Sequence, residues 1–103
     1  MSKYLYVYHG GSVPETEEEG ARVMAAWGAW MGGLGAAIVD GGAPVGMSRT
    51  VSAAGTAENG GANPASGYTI VEAANHEAAC DMAAGCPIND AGGSVEVAEI
   101  LPM

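Results

Sequence analysis

The stretch KYLYVYH, residues 3–9, decides the fold because it alternates aromatic and aliphatic side chains with a period of two. The three tyrosines are expected on one side of the chain, and Leu5 and Val7 on the other. This period, together with the aromatic and β-branched composition, predicts a β-strand. Two glycines follow His9, so the strand is expected to end there.

A helix is predicted soon after this strand. Thr16 and Glu19 have the spacing of a capping box, and the acidic residues between them suit the positive end of a helix dipole. Glycines at 32, 33 and 35 are expected to end the helix at about Leu34. Large apolar residues recur at spacings of three and four, which gives the helix one apolar face: Met24, Trp27, Met31 and Leu34.

The rest of the chain alternates between further strands and one more helix. We expect strands at 37–39, 48–53, 68–73 and 94–101, a loop over 55–67, and a short helix from the N-cap Asn75 to Ala84. The strand at 48–53 is expected to pair with the strand before it around a turn at 44–46.

This order of elements predicts one α+β domain over residues 1–103. The expected fold is ferredoxin-like βαββαβ with an extra hairpin strand: an antiparallel sheet with both helices on one face. The other face of the sheet has no cover in so short a chain. A homodimer that packs sheet against sheet would cover it, so we expect a homodimer.

The charge of the chain excludes several partners. The formal net charge is −9, and only three residues are Lys or Arg. Nucleic acids and anionic membranes are bound by clustered Lys and Arg, so neither is an expected partner. No window approaches the roughly 20 apolar residues of a membrane span, and the N-terminus lacks the pattern of a signal peptide. We therefore expect a cytoplasmic protein.

The sequence carries no cofactor motif, so we expect no cofactor. Cys80 and Cys86 form neither a C-x-x-C pair nor a pair with a histidine at zinc-site spacing, so zinc is not expected. A disulfide is not expected because thiols stay reduced in a protein without an export signal. The glycine pairs fit neither the dinucleotide fingerprint nor the P-loop.

Seven segments together resemble the YCII-related family of small bacterial proteins. The matching segments are residues 4–8, MAAWGAWMGGLG at 24–35, VDGGAPVG at 39–46, SRTVS at 48–52, SGYTIVEA at 66–73, GCP at 85–87 and GGSVEVAEILPM at 92–103. The resemblance implies a ferredoxin-like protomer and a dimer whose sheets form an α/β barrel. The DGPF tetrapeptide of one branch of the family is absent, since the corresponding loop is AENGGANPASG at 57–67.

Another branch of that family pairs a helix histidine with a strand aspartate in a proposed catalytic dyad. Asp40 occupies the aspartate position, whereas the first helix of this chain has no histidine. The resemblance therefore implies a catalytic role for Asp40 alone. From its position before two glycines, Asp40 is equally well interpreted as a turn residue that binds the backbone.

Two further polar residues are candidates for the same site. His9 ends the first strand, where its imidazole could act as an acid or base or could simply be exposed. Arg49 is expected to approach Asp40 across the predicted hairpin. There it could bind a substrate anion with its fork of donors, or pair with Asp40.

The predicted site lies between the first helix and the sheet. Asp40 and His9 are its candidate catalytic residues, and the candidates for substrate binding are Arg49, Tyr68, Trp27 and Met31. Trp27 and Met31 also fit a purely structural role in the core. Two functions remain open: a cofactor-free enzyme that performs proton transfer, elimination or isomerisation on a small molecule, and a non-catalytic dimer that binds a small molecule or regulates a partner.

Overall fold

The strands form one four-stranded sheet and one separate two-stranded hairpin. The structure is a computed structural model and describes all 103 residues. Its elements are β1 (Ser2–His9), α1 (Glu17–Leu34), a 3-10 turn (Gly35–Ala37), β2 (Ile38–Pro44), β3 (Thr50–Ser52), β4 (Gly55–Ala57), β5 (Ala65–Ala73), α2 (His76–Ala83), a second 3-10 turn (Pro87–Asn89) and β6 (Ser94–Ile100).

The large sheet has the order β2-β5-β1-β6, and each neighbouring pair of strands is antiparallel. The first strand of the chain is thus central, as its aromatic composition favours. An α+β architecture with an antiparallel sheet and two helices is confirmed, and it is compatible with a ferredoxin-like fold.

The predicted pairing of residues 48–53 with the second strand is wrong. β3 pairs with β4, with Thr50 opposite Ala57. β2 pairs with β5, and its last residue, Pro44, lies opposite Gly67. The chain reverses directly after β3 and passes through Gly55 at a φ of 121°, so the nearest partner of β3 is the segment that follows it. The predicted loop over 55–67 therefore contains a strand.

Both helices begin where the capping residues predict. Thr16 Oγ1 accepts a hydrogen bond from Glu19 N at 3.1 Å, and Asn75 Oδ1 accepts one from Ala78 N at 2.8 Å. Each side chain satisfies a backbone N–H that has no partner within its helix. The carboxylate of Glu19 accepts from Glu15 N at 3.0 Å rather than from the N-cap residue itself.

The core lies between the helices and the tyrosine face of β1. Tyr4, Tyr6 and Tyr8 are at most 5% exposed. Trp30 of α1 stacks on Tyr6 with ring centroids 6.2 Å apart, and its Nε1 donates to Met82 O at 3.0 Å. These aromatic contacts fix α1 on the sheet, because α1 itself contains no fully buried residue.

No helix of this protein has the length and apolar character that crossing a membrane requires. Cys80 is exposed on α2, whereas Cys86 is buried after it. Burial raises the pKa of the Cys86 thiol to about 11.

Candidate functional site

A cavity of about 440 Å³ lies between α1 and the edge of the sheet formed by β2 and β5. Met24, Trp27 and Met31 line it from α1, while Tyr8 and Thr69 line it from the sheet. Residues 41–44 and 66–68 and Ile88 complete the lining. A cavity of this size with mostly apolar walls and a few polar groups is typical of a small-molecule site.

Glycine is required where β2 bends around this cavity. Gly42 has a φ of 72°, and a Cβ atom there would lie 1.7 Å from the carbonyl oxygen of Tyr68. Any other residue would therefore push β2 away from β5. The pairing register between these strands shifts on both sides of Asp40, which is consistent with a bulge at this bend.

Asp40 has the predicted role of a turn residue that binds the backbone. Its side chain is exposed, and its Oδ1 accepts a hydrogen bond from Gly42 N at 2.8 Å. This bond stabilises the bend that shapes the cavity wall. No Lys, Arg or His nitrogen lies within 4.0 Å of the Asp40 carboxylate.

Arg49 lies in the hairpin and pairs with a residue of the same hairpin. Its Nε is 3.1 Å from Glu58 Oε2, and both side chains are well exposed. The expected approach of Arg49 to Asp40 is not found, because β3 pairs with β4 instead of β2.

His9 is buried, and both of its ring nitrogens have partners. Nε2 is 2.9 Å from Glu96 Oε1, and Nδ1 is 3.2 Å from Pro64 O. Only 11% of the side chain is exposed. The hydrogen bond with Glu96 raises the pKa of His9 above its usual value, although burial opposes this shift. The two predicted states of His9, a free imidazole and an exposed one, are therefore both wrong.

The six predicted site residues fall into two groups. Trp27, Met31 and Tyr68 line the cavity. Tyr68 lies opposite Val7 in the sheet, however, so its side chain is on the face away from the helices. The other three, Asp40, His9 and Arg49, do not line it, and each has a different hydrogen-bond or ion-pair partner. The structure thus places three of the four predicted binding residues at the cavity but not Arg49. It does not bring the predicted acid, imidazole and guanidinium together.

Sequence reasoning missed the polar part of the cavity. Tyr8 Oη donates to Thr69 Oγ1 at 2.7 Å, and Thr69 Oγ1 donates to Gly41 O at 3.0 Å. Burial raises the pKa of Tyr8 to about 12, so its phenol stays neutral at physiological pH. A threonine in the apolar strand around 68–73 was the available signal, because a buried hydroxyl needs a partner.

A wider hollow of about 640 Å³ adjoins the cavity and shares Trp27, Pro44, Ser66 and Ile88 with it. Arg22 lines this hollow, and its guanidinium lies 3.7 Å from Glu18. The Ser66 hydroxyl oxygen is buried without a hydrogen-bond partner at the junction of the two.

Comparisons of the chain with family models, with curated proteins and with solved structures found no match. The resemblance to the YCII-related family therefore stays a prediction, and functional inference depends on the geometry of the cavity.

Proposed function

We propose that this protein is a non-catalytic homodimer that binds a small, largely apolar molecule in the cavity between α1 and the sheet. The observation that carries the proposal is the lining of the cavity: Trp27 and Met31 face it, and no charged side chain does. Burial of apolar ligand surface against such walls stabilises the complex by about 25 cal/mol per Å². We further propose that the protein is cytoplasmic and related to the YCII-related family.

The dimer would form through the face of the sheet opposite the helices. Leu5 lies opposite Ile70 on β5 and Ala98 on β6, and Val7 lies opposite Tyr68 on β5 and Glu96 on β6. Side chains of opposed residues share one face of a sheet, so the five apolar residues form a patch that Glu96 borders on the edge strand β6. The helices pack on the tyrosine face of β1 and leave this surface to a second copy.

A cofactor-free enzyme that transfers a proton, eliminates a group or isomerises a small molecule is the second candidate. One observation favours it: Asp40 directly precedes the glycines that line the cavity. An acid or base must reach the proton that it moves, however, and Asp40 uses Oδ1 to hold the backbone of Gly42. Geometry therefore supports binding better than catalysis.

Calorimetric titration with phenol and with toluene tests the binding function. We expect saturable binding to the unmodified protein. Met31→Asp places a carboxylate in the apolar wall and should weaken binding by about tenfold or more, equivalent to about 1.4 kcal/mol.

The matched control is Met47→Asp. Met47 is 93% exposed in the segment before β3 and does not line the cavity. This variant should bind like the unmodified protein. If neither probe binds, or if both variants lose binding equally, the proposed site is wrong.

A further inference from the structure

Two buried hydroxyl groups form a hydrogen-bond chain with a fixed direction in the wall of the cavity. Tyr8 is 5% exposed and Thr69 is fully buried. The Tyr8 hydroxyl lies 2.7 Å from Thr69 Oγ1, which lies 3.0 Å from Gly41 O. Both residues line the cavity, which places the pair in its wall.

The direction of this hydrogen-bond chain follows from counting the hydroxyl protons. A carbonyl oxygen can only accept, so the single hydroxyl proton of Thr69 goes to Gly41 O. Thr69 Oγ1 must then accept from Tyr8, whose own proton is committed in turn. The lone pair that remains on Tyr8 Oη can only accept a hydrogen bond. The pair therefore offers a ligand an acceptor and no donor.

The remaining lining selects against charge. It contains no Asp, Glu, Lys, Arg or His. A charged ligand would lose its hydration without gaining a partner, which is costly in apolar surroundings. Arg22 lines the adjoining hollow, but its guanidinium lies 3.7 Å from the Glu18 carboxylate, which already partners its charge.

The apolar walls suit an aromatic ring. Trp27 meets Tyr8 edge to face, with ring centroids 5.0 Å apart at 87°, and two methionines lie beside them in the lining. Aromatic edges and thioether sulfurs both make favourable contacts with aromatic rings.

We propose that the cavity selects a neutral aromatic molecule whose O–H or N–H group donates a hydrogen bond to Tyr8 Oη. This inference rests on ligand binding in the cavity as the protein's function. It adds the chemical class of the ligand and makes Tyr8 the residue that determines specificity.

Four probes with the same ring separate the effects of hydrogen bonding and of charge on affinity. Phenol can donate a hydrogen bond, anisole can only accept one, toluene can do neither, and benzoate is charged. Calorimetric titration of the unmodified protein should give affinities for phenol about five- to tenfold above those for anisole and toluene. Benzoate should show no measurable binding.

Thr69→Val tests the direction of the hydrogen-bond chain. Valine has nearly the shape of threonine but cannot accept a hydrogen bond from Tyr8. The Tyr8 hydroxyl can then donate a hydrogen bond to an acceptor on the ligand, so the preference for phenol over anisole should fall at least about threefold. Thr69→Ser keeps the hydroxyl and should keep the preference.

The outcomes separate this inference from the proposed function. If no aromatic probe binds, the proposed function itself is wrong. If phenol, anisole and toluene bind equally to the unmodified protein, the cavity is a binding site but the selectivity inferred for it is overturned. The probe ratio in the unmodified protein decides this even if Thr69→Val does not fold.

Discussion

Both ring nitrogens of His9 face hydrogen-bond acceptors, a carboxylate oxygen and a carbonyl oxygen. Acceptors on both sides require both nitrogens to carry protons, so the folded state favours the imidazolium form. Because the pKa is raised on folding, the pair contributes its full stability below about pH 6.5, the ordinary pKa of histidine. That contribution is lost as the pH rises through the raised pKa.

Glu96→Gln should therefore flatten the pH dependence of folding. As the pH rises above about 6.5, we expect the free energy of unfolding of the unmodified protein to fall more steeply than that of the variant. Denaturant unfolding at a series of pH values measures both slopes. Glu99→Gln alters an exposed carboxylate on the same strand and should leave the slope unchanged. Equal slopes in all three proteins would show that the His9–Glu96 pair does not contribute.

At the scale of elements, signals within a few residues were sufficient to predict most of the fold. The helix starts at Thr16 and Asn75 depend on hydrogen bonds that span three residues, and such patterns are visible in a sequence. The hydrogen-bond partners of His9 and Tyr8 depend on contacts between distant parts of the chain, which local patterns do not specify. His9 and Glu96 are separated by 87 positions, and Tyr8 and Thr69 by 61.

In the candidate site, too, some residues could be predicted from local patterns and others could not. The helical spacing of Trp27 and Met31 predicted an apolar wall, and they line the cavity. The position of Arg49 depended on a strand pairing, and the pairing was wrong because the chain reverses directly after β3. The hydroxyl pair at Tyr8 and Thr69 could not be predicted without the register of β1 against β5.

Helix α1 should depend strongly on its N-cap because none of its residues is fully buried. Thr16→Ala removes the acceptor for Glu19 N and should lower the free energy of unfolding by about 1 kcal/mol. Thr56→Ala makes the same chemical change at an exposed position of β4 and should change it by less than about 0.5 kcal/mol. Denaturant unfolding measures both. Equal losses would contradict the importance of the cap.

The whole molecule is flat and exposes more surface than its size predicts. Its extents are 43 × 43 × 18 Å, and its accessible surface is 6708 Å². A folded monomer of 10.2 kDa is expected to expose about 5,300 Å². The excess of about 1,400 Å² exceeds the roughly 800 Å² that each partner buries in a standard interface. A dimer through the open face of the sheet would remove much of this excess.

Ile70→Asp should dissociate that dimer. Ile70 lies opposite Leu5 in the apolar face, so a carboxylate there would be buried without a partner in the dimer and hydrated in the monomer. We expect sedimentation to show a dimer for the unmodified protein and for Met47→Asp, and a monomer for Ile70→Asp, all at micromolar concentration. A monomeric unmodified protein would contradict the proposed assembly.

The most direct test of ligand binding in the cavity is a methyl NMR titration of the protein labelled at its six methionines. Met24 and Met31 line the cavity, whereas Met1, Met47 and Met103 are largely exposed elsewhere. On addition of phenol, we expect saturable shifts of the Met24 and Met31 methyl signals and unchanged signals from Met1, Met47 and Met103. Shifts that do not saturate, or that are equal at all sites, would contradict it.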